Sequence, residues 1–202
     1  PLTPEQTKAA IEKVRQLTDK PFGVNCALLM SSAKENAQIA LDLKVPVINF
    51  SLGKGDWLIK ACHAYGGKVI ATVTTAKHAI AAQEQGADAV MVTGHEAAAH
   101  GGEVTSLVLV PAIVDVVKIP VIACGGFADQ RGVLAALALG AEAVAMGSRF
   151  ATVKESPLHE HIKHQVIAKD QHETIYSPHF DGLPARYMKT PLAEKLTKKA
   201  MN

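Results

Sequence analysis

Two glycine-containing segments carry the strongest chemical signal in the sequence. The apolar run Val121–Cys124 leads into Gly125–Gly126, and the apolar run Val144–Met146 leads into Gly147–Ser148. Each run has the composition of a buried strand, and a glycine after it lets main-chain amides approach a ligand without a Cβ in the way. Turns of this kind bind phosphate after the seventh and eighth strands of (β/α)8 barrels. The two segments therefore predict a site for a phosphate-bearing ligand.

A loop rich in histidine and small residues is the second candidate. Residues 94–103 follow the apolar run Ala89–Thr93, and barrel enzymes build their active sites at this end of their strands. His100 is flanked by alanine and glycine, so its imidazole is open to a ligand and can exchange a proton at cellular pH. A loop histidine bonded to a main-chain carbonyl is the alternative. His95 is expected to pack and Glu96 to accept an orienting hydrogen bond, and a metal site from these three is disfavoured because they lack the helical H-E-x-x-H spacing.

Polar side chains at other strand ends are expected to face the same site. Asn25 lies near the end of the apolar run Phe22–Cys26, and its amide can both donate to and accept from the edge of a heterocycle. Thr72 and Thr93 end later runs and could do the same more weakly. Threonine is also simply frequent in strands, which is the structural explanation for both.

These residues belong to a repeat of strands and helices. Alanine-rich stretches with helical spacing, such as Ala76–Gln85 and Gly132–Leu139, alternate with short β-branched runs. This alternation predicts parallel strands joined by right-handed crossover helices. The predicted strands are Phe22–Cys26, Val45–Phe50, Lys68–Val73, Ala89–Thr93, Val121–Cys124 and Ala143–Met146.

The repeat predicts an α/β fold, a (β/α)8 TIM barrel that here lacks its first two βα units. A helix over Pro4–Leu17 precedes the predicted strands, and the phosphate turns end the repeat, so we favour this barrel over an open doubly wound sheet. The chain is then expected to be a fragment of a longer enzyme. Residues 1–154 are predicted to form the partial barrel. Residues 155–202 are predicted to form a C-terminal helical extension that is not an independent domain, with a helix over Glu155–Lys169 that Ser156 caps.

Composition limits the partners. The 202 residues are 48% hydrophobic, which is enough for a sizeable core, and the net charge of +2 with 4% aromatic residues predicts no nucleic-acid partner. No apolar stretch reaches the ~18 residues that span a bilayer, so no membrane partner is predicted. The cysteines Cys26, Cys62 and Cys124 show no C-x-x-C spacing, which indicates reduced thiols and a cytoplasmic protein.

Several short motifs occur in an order that is specific as a set. They run from about residue 3 to residue 186, and together they closely resemble the nitronate monooxygenase family, also called 2-nitropropane dioxygenase. The motifs are Pro21–Asn25, Gly94–Gly102, Ala123–Asp129, Ala136–Ala141, Met146–Phe150 and Glu155–Ser156. The resemblance implies an FMN-dependent (β/α)8 barrel enzyme.

The resemblance also implies roles for individual residues. His100 would be the catalytic residue, acting on the substrate beside the flavin, and no metal is implied. The hydroxyl of Ser148 would add a bond to the FMN phosphate, which main-chain amides of the glycine turns would hold. The residues that would contact FMN are Asn25, Thr93, Ala98, Gly125, Gly126, Gly147 and Ser148.

Three departures from the family pattern involve four residues. Ala98–Ala99 stands where the family has a pair of glycines, which removes backbone freedom and narrows the space over the flavin. Ser148 replaces the usual threonine but keeps a hydroxyl, and Thr72 stands where some members have lysine. These departures concern the substrate more than the cofactor.

The implied reaction is the oxidation of alkyl nitronates (nitroalkanes) by O2 to carbonyl compounds and nitrite. A protonated His100 would stabilise the nitronate charge, or the imidazole would remove the α-proton of a neutral nitroalkane.

A homodimer is compatible with the chain. The nearest alternative is an FMN-dependent enoyl-acyl-carrier-protein reductase that uses NAD(P)H, because it is similar over residues 68–156. A flavin-free sugar-phosphate isomerase or synthase is disfavoured, since the strand ends offer neither lysine nor paired carboxylates.

Overall fold

The structure, a computed structural model, describes residues 2–98 and 100–199. It divides them into two units. The first contains residues 2–91 and 116–120, and the second contains residues 92–115 and those from 121 onward. Strand β4 (Ala89–Thr93) contributes its first three residues to the first unit and its last two to the second.

The first unit is built from alternating helices and parallel strands. Its sheet follows the order β1-β2-β3-β4, and the register places Asn25 opposite Asn49. The Asp88 NH donates to Val69 O at 2.8 Å, which sets the beginning of β4 beside β3. The elements are α1 (Pro4–Leu17), β1 (Gly23–Ala27), α2 (Ala33–Asp42), β2 (Val47–Ser51), α3 (Asp56–His63), β3 (Lys68–Val73) and α4 (Ala76–Glu84).

One face of this sheet is buried and the other is partly open. Ile48 and Phe50 on β2 and Val69 on β3 are buried, whereas Asn49 between the first two is half-buried. Successive strand residues point to opposite faces, so the open face carries the polar side chains. On β2 the apolar run is therefore interrupted by a polar residue that faces the open side of the sheet.

The second unit continues the repeat and then departs from it. Strands β5 and β6 pair in parallel with Cys124 opposite Ala145, and the Gly94 NH donates to Cys124 O at 3.0 Å. Strands β7 and β8 form a separate antiparallel pair. The elements after β4 are α5 (Ser106–Val114), β5 (Val121–Cys124), α6 (Gln130–Ala138), β6 (Ala143–Ala145), α7 (Ser148–Ala151), α8 (Glu160–Ala168), β7 (Thr174–Ser177), β8 (Ala185–Met188) and α9 (Pro191–Lys199).

The predicted α/β class is confirmed, and each predicted strand is present within one or two residues of its expected bounds. Within each unit the parallel strands follow chain order, as they do in a (β/α)8 barrel. The number of missing barrel units and the domain boundary at residue 154 stay predictions. No helix among the described residues is long and apolar enough to cross a membrane.

The C-terminal segment differs from the prediction in two ways. It contains the hairpin β7–β8 as well as helices, and α8 begins at Glu160 rather than at residue 155. The Ser156 hydroxyl accepts from the Leu158 NH and so forms a local turn, while His159 Nδ1 accepts from the His161 NH and caps the helix. Serine favours turns as well as helix caps, and its pattern alone did not distinguish the two.

Asp88, just before β4, joins three partners in the first unit. Its Oδ1 lies 2.8 Å from Lys68 Nζ, and its Oδ2 accepts from the Val69 NH and lies 2.8 Å from His63 Nε2. Burial raises the pKa of this carboxyl, but the hydrogen bonds from Lys68, His63 and the Val69 NH outweigh burial and leave the pKa below its ordinary value. The ionised form is therefore the one that stabilises the fold.

We expect Asp88→Asn to lower the free energy of unfolding by about 1–3 kcal/mol at neutral pH. Because the folded-state pKa is depressed, this contribution is present above the unfolded-state pKa near ~3.9 and is lost as the pH falls through the folded-state value. Urea denaturation of both proteins between pH 7 and acid pH measures it, with the exposed Asp19→Asn as control. A difference between wild type and Asp88→Asn that stays constant over this range would contradict the assignment.

Candidate active site

The two glycine turns lie side by side in the second unit. Because β5 and β6 are paired in parallel, Gly125–Gly126 and Gly147–Ser148 follow their strands at the same edge of the sheet. Gly125 and Gly126 have φ values of +100° and +81°, which strongly favour glycine. Arg149 Nε donates to Ala128 O at 2.8 Å and joins the two loops. The structure thus brings together the four residues predicted to hold a phosphate.

The turns offer both space and donors for an anion. A Cβ added to Gly147 would meet no heavy atom within 4 Å, and Gly126, Gly147 and Ser148 are all exposed. Within the described part of the chain, the NH groups of these three residues donate to no main-chain carbonyl. Accessible main-chain NH groups of this kind suit phosphate oxygens. The residues present therefore fit a phosphoryl group.

A buried serine fixes the position of the first turn. Ser106, the first residue of α5, is 4% exposed, and its Oγ lies 2.7 Å from Gly125 O and 3.1 Å from Glu96 Oε2. The Ser106 NH donates to Glu96 Oε2 at 2.9 Å, so the Glu96 carboxylate caps the helix. A Cβ at Gly94 would collide with Ser106 Oγ, which leaves room only for glycine there. The predicted orienting role of Glu96 is confirmed, whereas Ser106 was missed.

His100 meets an acceptor at each ring nitrogen. Its side chain is 24% exposed; Nε2 lies 3.1 Å from Asp181 Oδ2, and Nδ1 lies 3.3 Å from Pro184 O. Both partners can only accept, so both bonds form together only when each nitrogen carries a proton. The main-chain carbonyl contact that was the alternative to a catalytic role is thus present, but it engages one nitrogen only. Asp181 was not foreseen from the sequence.

The hairpin β7–β8 packs against the histidine loop. Tyr176 Oη donates to Gly101 O at 2.9 Å, and its ring lies 4.4 Å from the His95 ring. Arg186 Nε donates to His95 O at 3.2 Å, and His95 Nδ1 lies 3.0 Å from Gly102 O. The packing role predicted for His95 is confirmed.

A metal site at His95, Glu96 and His100 is not formed. The three side chains bind Gly102, Ser106 and Asp181, respectively. Residues 2–98 and 100–199 contain no group of three or more His, Cys, Asp or Glu side chains that could hold a metal ion.

The remaining predicted contacts fall in different places. Thr93 is buried, and its side chain forms a hydrogen bond with Cys124. Burial of the Cys124 thiol raises its pKa, and the hydrogen bond with Thr93 partly opposes that effect. Ala98 is exposed in the histidine loop, and its neighbour Ala99 lies outside the described residues. Asn25 lies on β1 of the first unit, where its side chain is exposed.

Asn25 is the end of a polar chain that crosses three strands. Asn49 Nδ2 donates to Asn25 Oδ1 at 2.6 Å, and Thr72 Oγ1 donates to Asn49 Oδ1 at 3.1 Å. The oxygen of the Asn25 amide is thereby engaged, and its NH2 group remains as a donor. Asn49 was missed as a site residue, although a polar residue within the apolar run Val45–Phe50 was a usable signal.

The order and parallel pairing of the strands within each unit define this chain as an α/β protein, consistent with part of a (β/α)8 barrel. A model of the nitronate monooxygenase family matches residues 34–202. The chain belongs to the nitronate monooxygenase family, as its motifs indicate.

Individual relatives differ in what their names describe. The chain is 41% identical over 195 residues to the (3aS,4S,5R,7aS)-5-hydroxy-7a-methyl-1-oxo-octahydro-1H-indene-4-carboxyl-CoA dehydrogenase of Rhodococcus jostii, which covers 96% of the chain and 55% of the relative. It is 32% identical over 239 residues to a probable nitronate monooxygenase of Staphylococcus aureus, in an alignment that covers 96% of the chain and 67% of the Staphylococcus protein. The solved structure of FabK from Thermotoga maritima superimposes with a TM-score of 0.93 at 41% identity, covering 98% of the chain and 63% of FabK. The chain thus spans little more than half of the Rhodococcus relative.

Ser106 provides a direct test of how the phosphate turn is held. We expect Ser106→Ala to destabilise the fold by about 1–3 kcal/mol, because it leaves the buried Gly125 carbonyl without its hydroxyl partner. Thermal and urea denaturation measure this loss, and the exposed Ser31→Ala provides the control. Equal stability of the two variants would show that the Ser106 hydroxyl does not fix the turn.

Proposed function

We propose that the chain carries the phosphate site and the catalytic histidine of a flavin-dependent oxidoreductase, with FMN as the flavin. The observation that supports this proposal is the pair of glycine turns after β5 and β6, whose exposed NH groups suit one phosphoryl group. FMN ends in a single phosphate monoester, a group that main-chain NH donors at glycine turns suit. Membership of the nitronate monooxygenase family supports the same choice.

Residues of the second unit would hold the phosphate of the cofactor. The NH groups of Gly126, Gly147 and Ser148 would bind the phosphate, with the Ser148 hydroxyl as a further donor and Gly125 shaping the turn. Asn25, Thr93 and Ala98 stay predicted contacts of the flavin. A bound flavin would supply the electron-transfer chemistry, which the protein's side chains lack.

His100 would act on the substrate. Its imidazole has Pro184 O at Nδ1, which fixes the ring, and it can present an N–H at Nε2 to an electron-rich oxygen of the substrate. Such a donor stabilises negative charge that develops on that oxygen. This role suits both an acyl thioester carbonyl and a nitronate.

For the substrate we propose an acyl thioester. The Rhodococcus relative, at 41% identity, is named for a carboxyl-CoA thioester, and this identity exceeds the 32% shared with the Staphylococcus protein. An enoyl-acyl-carrier-protein reductase, the alternative raised by the sequence, acts on a substrate of this class as well. Oxidation of an alkyl nitronate by O2 is the second candidate, and the family match supports it.

Anaerobic reduction of the bound flavin separates the two substrates. If the protein oxidises a thioester substrate, we expect a hydroxyacyl-CoA to reduce the flavin of the full-length protein and bleach its absorbance. If it reduces one, we expect NAD(P)H to bleach the absorbance and an enoyl thioester to restore it. Bleaching by propane-2-nitronate alone would instead establish the second candidate. A flavin that none of these compounds reduces or reoxidises would refute both substrates.

Gly126 tests the phosphate cradle. We expect Gly126→Val to abolish FMN binding, because the branched side chain would enter the space over the NH donors. Gly66→Val is a control for the positive φ, which is +82° at Gly66 and +81° at Gly126; a Cβ at Gly66 would meet no heavy atom within 4 Å, whereas one at Gly126 would lie 3.3 Å from Glu96 Cβ. Both variants should lose stability from the strained φ, Gly126→Val more because of its contact with Glu96, but only Gly126→Val should lose the flavin absorbance after gel filtration. Full FMN content in Gly126→Val would remove the cradle from the proposal.

His100 tests the catalytic assignment. We expect His100→Gln to retain FMN and to lose turnover by at least about 100-fold, because no acid or charged donor remains at that position. Steady-state kinetics and the flavin spectrum measure the two properties, with the exposed His172→Gln as control. Wild-type turnover in His100→Gln would place the chemistry elsewhere.

A further inference from the structure

We infer that Asp181 is a specificity-determining residue: its carboxylate occupies, at His100 Nε2, the place of an anionic or electron-rich substrate oxygen. Substrate binding then requires the Asp181 side chain, in the turn between β7 and β8, to release that contact. The inference rests on the proposed function only in taking His100 as the residue that contacts the substrate.

The two nitrogens of His100 have partners that differ in freedom to move. Nδ1 meets the main-chain carbonyl of Pro184, which directly precedes β8, and β8 is fixed by the pairing of Ala185 with Ser177. Nε2 meets a side chain, that of Asp181, which can leave by rotation about its own bonds. Nε2 is therefore the nitrogen that can exchange partners while the ring keeps its orientation.

The chemistry of the contact matches that of the proposed substrates. A carboxylate and a nitronate are both planar groups that spread one negative charge over two oxygens. An enolate formed from an acyl thioester likewise carries its charge on an oxygen. The 3.1 Å separation between Asp181 Oδ2 and His100 Nε2 is a hydrogen-bond distance, so a substrate oxygen at the same position would make an equivalent bond.

Asp181 has other partners when it leaves His100. Its Oδ1 accepts from the Leu183 NH at 3.2 Å, which shapes the turn. Burial raises the pKa of Tyr187 on β8, and the charge of Asp181 and a hydrogen bond with it act in the same direction. The carboxylate is thus not left without contacts when a substrate displaces it.

The tip of the hairpin is less constrained by neighbouring residues than its base. The Asp181 side chain is 39% exposed, and a Cβ added to Gly182 would meet nothing within 4 Å. The base of the hairpin is held by two hydrogen bonds, from Tyr176 Oη to Gly101 O and from Arg186 Nε to His95 O. A tip that opens on an anchored base can expose Nε2 and leave the histidine loop unchanged.

Competition by Asp181 predicts a gain of affinity when the carboxylate is removed. Asp181→Asn keeps an oxygen that can accept from the Leu183 NH. It removes the negative charge beside His100 Nε2 and puts a neutral amide in its place. We expect it to bind propanoate, an unreactive carboxylate, about two- to fivefold more tightly than wild type, the range set by the strength of a partly exposed ion pair. The measurement is the shift of flavin absorbance on titration of the full-length, flavin-loaded protein.

A matched variant separates this effect from a change of net charge. Asp115→Asn removes one exposed carboxylate at the end of α5 in the same unit and should leave propanoate binding unchanged. The gain in Asp181→Asn should also disappear in the double variant with His100→Gln. Faster hydrogen exchange of the main-chain NH groups of residues 179–183 on addition of propanoate is the expected second readout.

The opposite pattern would show that Asp181 positions His100 instead. In that case Asp181→Asn would lower kcat by tenfold or more with no change in propanoate affinity, and the inference would be wrong. Equal propanoate affinity in Asp181→Asn and Asp115→Asn would overturn it as well. Failure of the proposed function is distinguishable, because it would appear as missing flavin or as unchanged turnover in His100→Gln, irrespective of Asp181.

Discussion

The site depends on one constraint, the hydrogen bonding that holds the first glycine turn against the end of β4. The Gly94 NH donates to Cys124 O, and the Ser106 hydroxyl lies beside Gly125 O. These contacts fix where the chain leaves β5, and the pairing of β5 with β6 then sets the second turn beside the first. A side chain at position 94 would enter the space of Ser106, so the arrangement also determines the residue type there.

The C-terminal hairpin gives the histidine loop a second boundary. The loop contains several alanines and glycines, which contribute little packing of their own. Tyr176 and Arg186 supply the missing contacts, and the turn between β7 and β8 brings a carboxylate to His100. A loop of small residues is thus held by a segment far along the chain, which is a general way to place loop side chains accurately.

Local patterns in the sequence were sufficient for the repeat and for its glycine turns. β-branched runs and alanine-rich stretches differ in period, so strands such as Lys68–Val73 and helices such as Pro4–Leu17 were predicted with the observed bounds. The hairpin β7–β8 was missed because its strands are four residues each, too short for a clear alternation. The start of α8 was misplaced because serine suits both a turn and a cap.

The sequence by itself determined which residues can do chemistry: glycines after buried strands, and an imidazole without bulky neighbours. Only the tertiary structure decided what those residues contact. Pro184 lies 84 residues from the histidine that it orients, and Asn49 meets Asn25 only because their strands pair in that register. Propensity and periodicity act over a few residues, whereas such contacts depend on how whole elements pack, and no short-range rule contains that information.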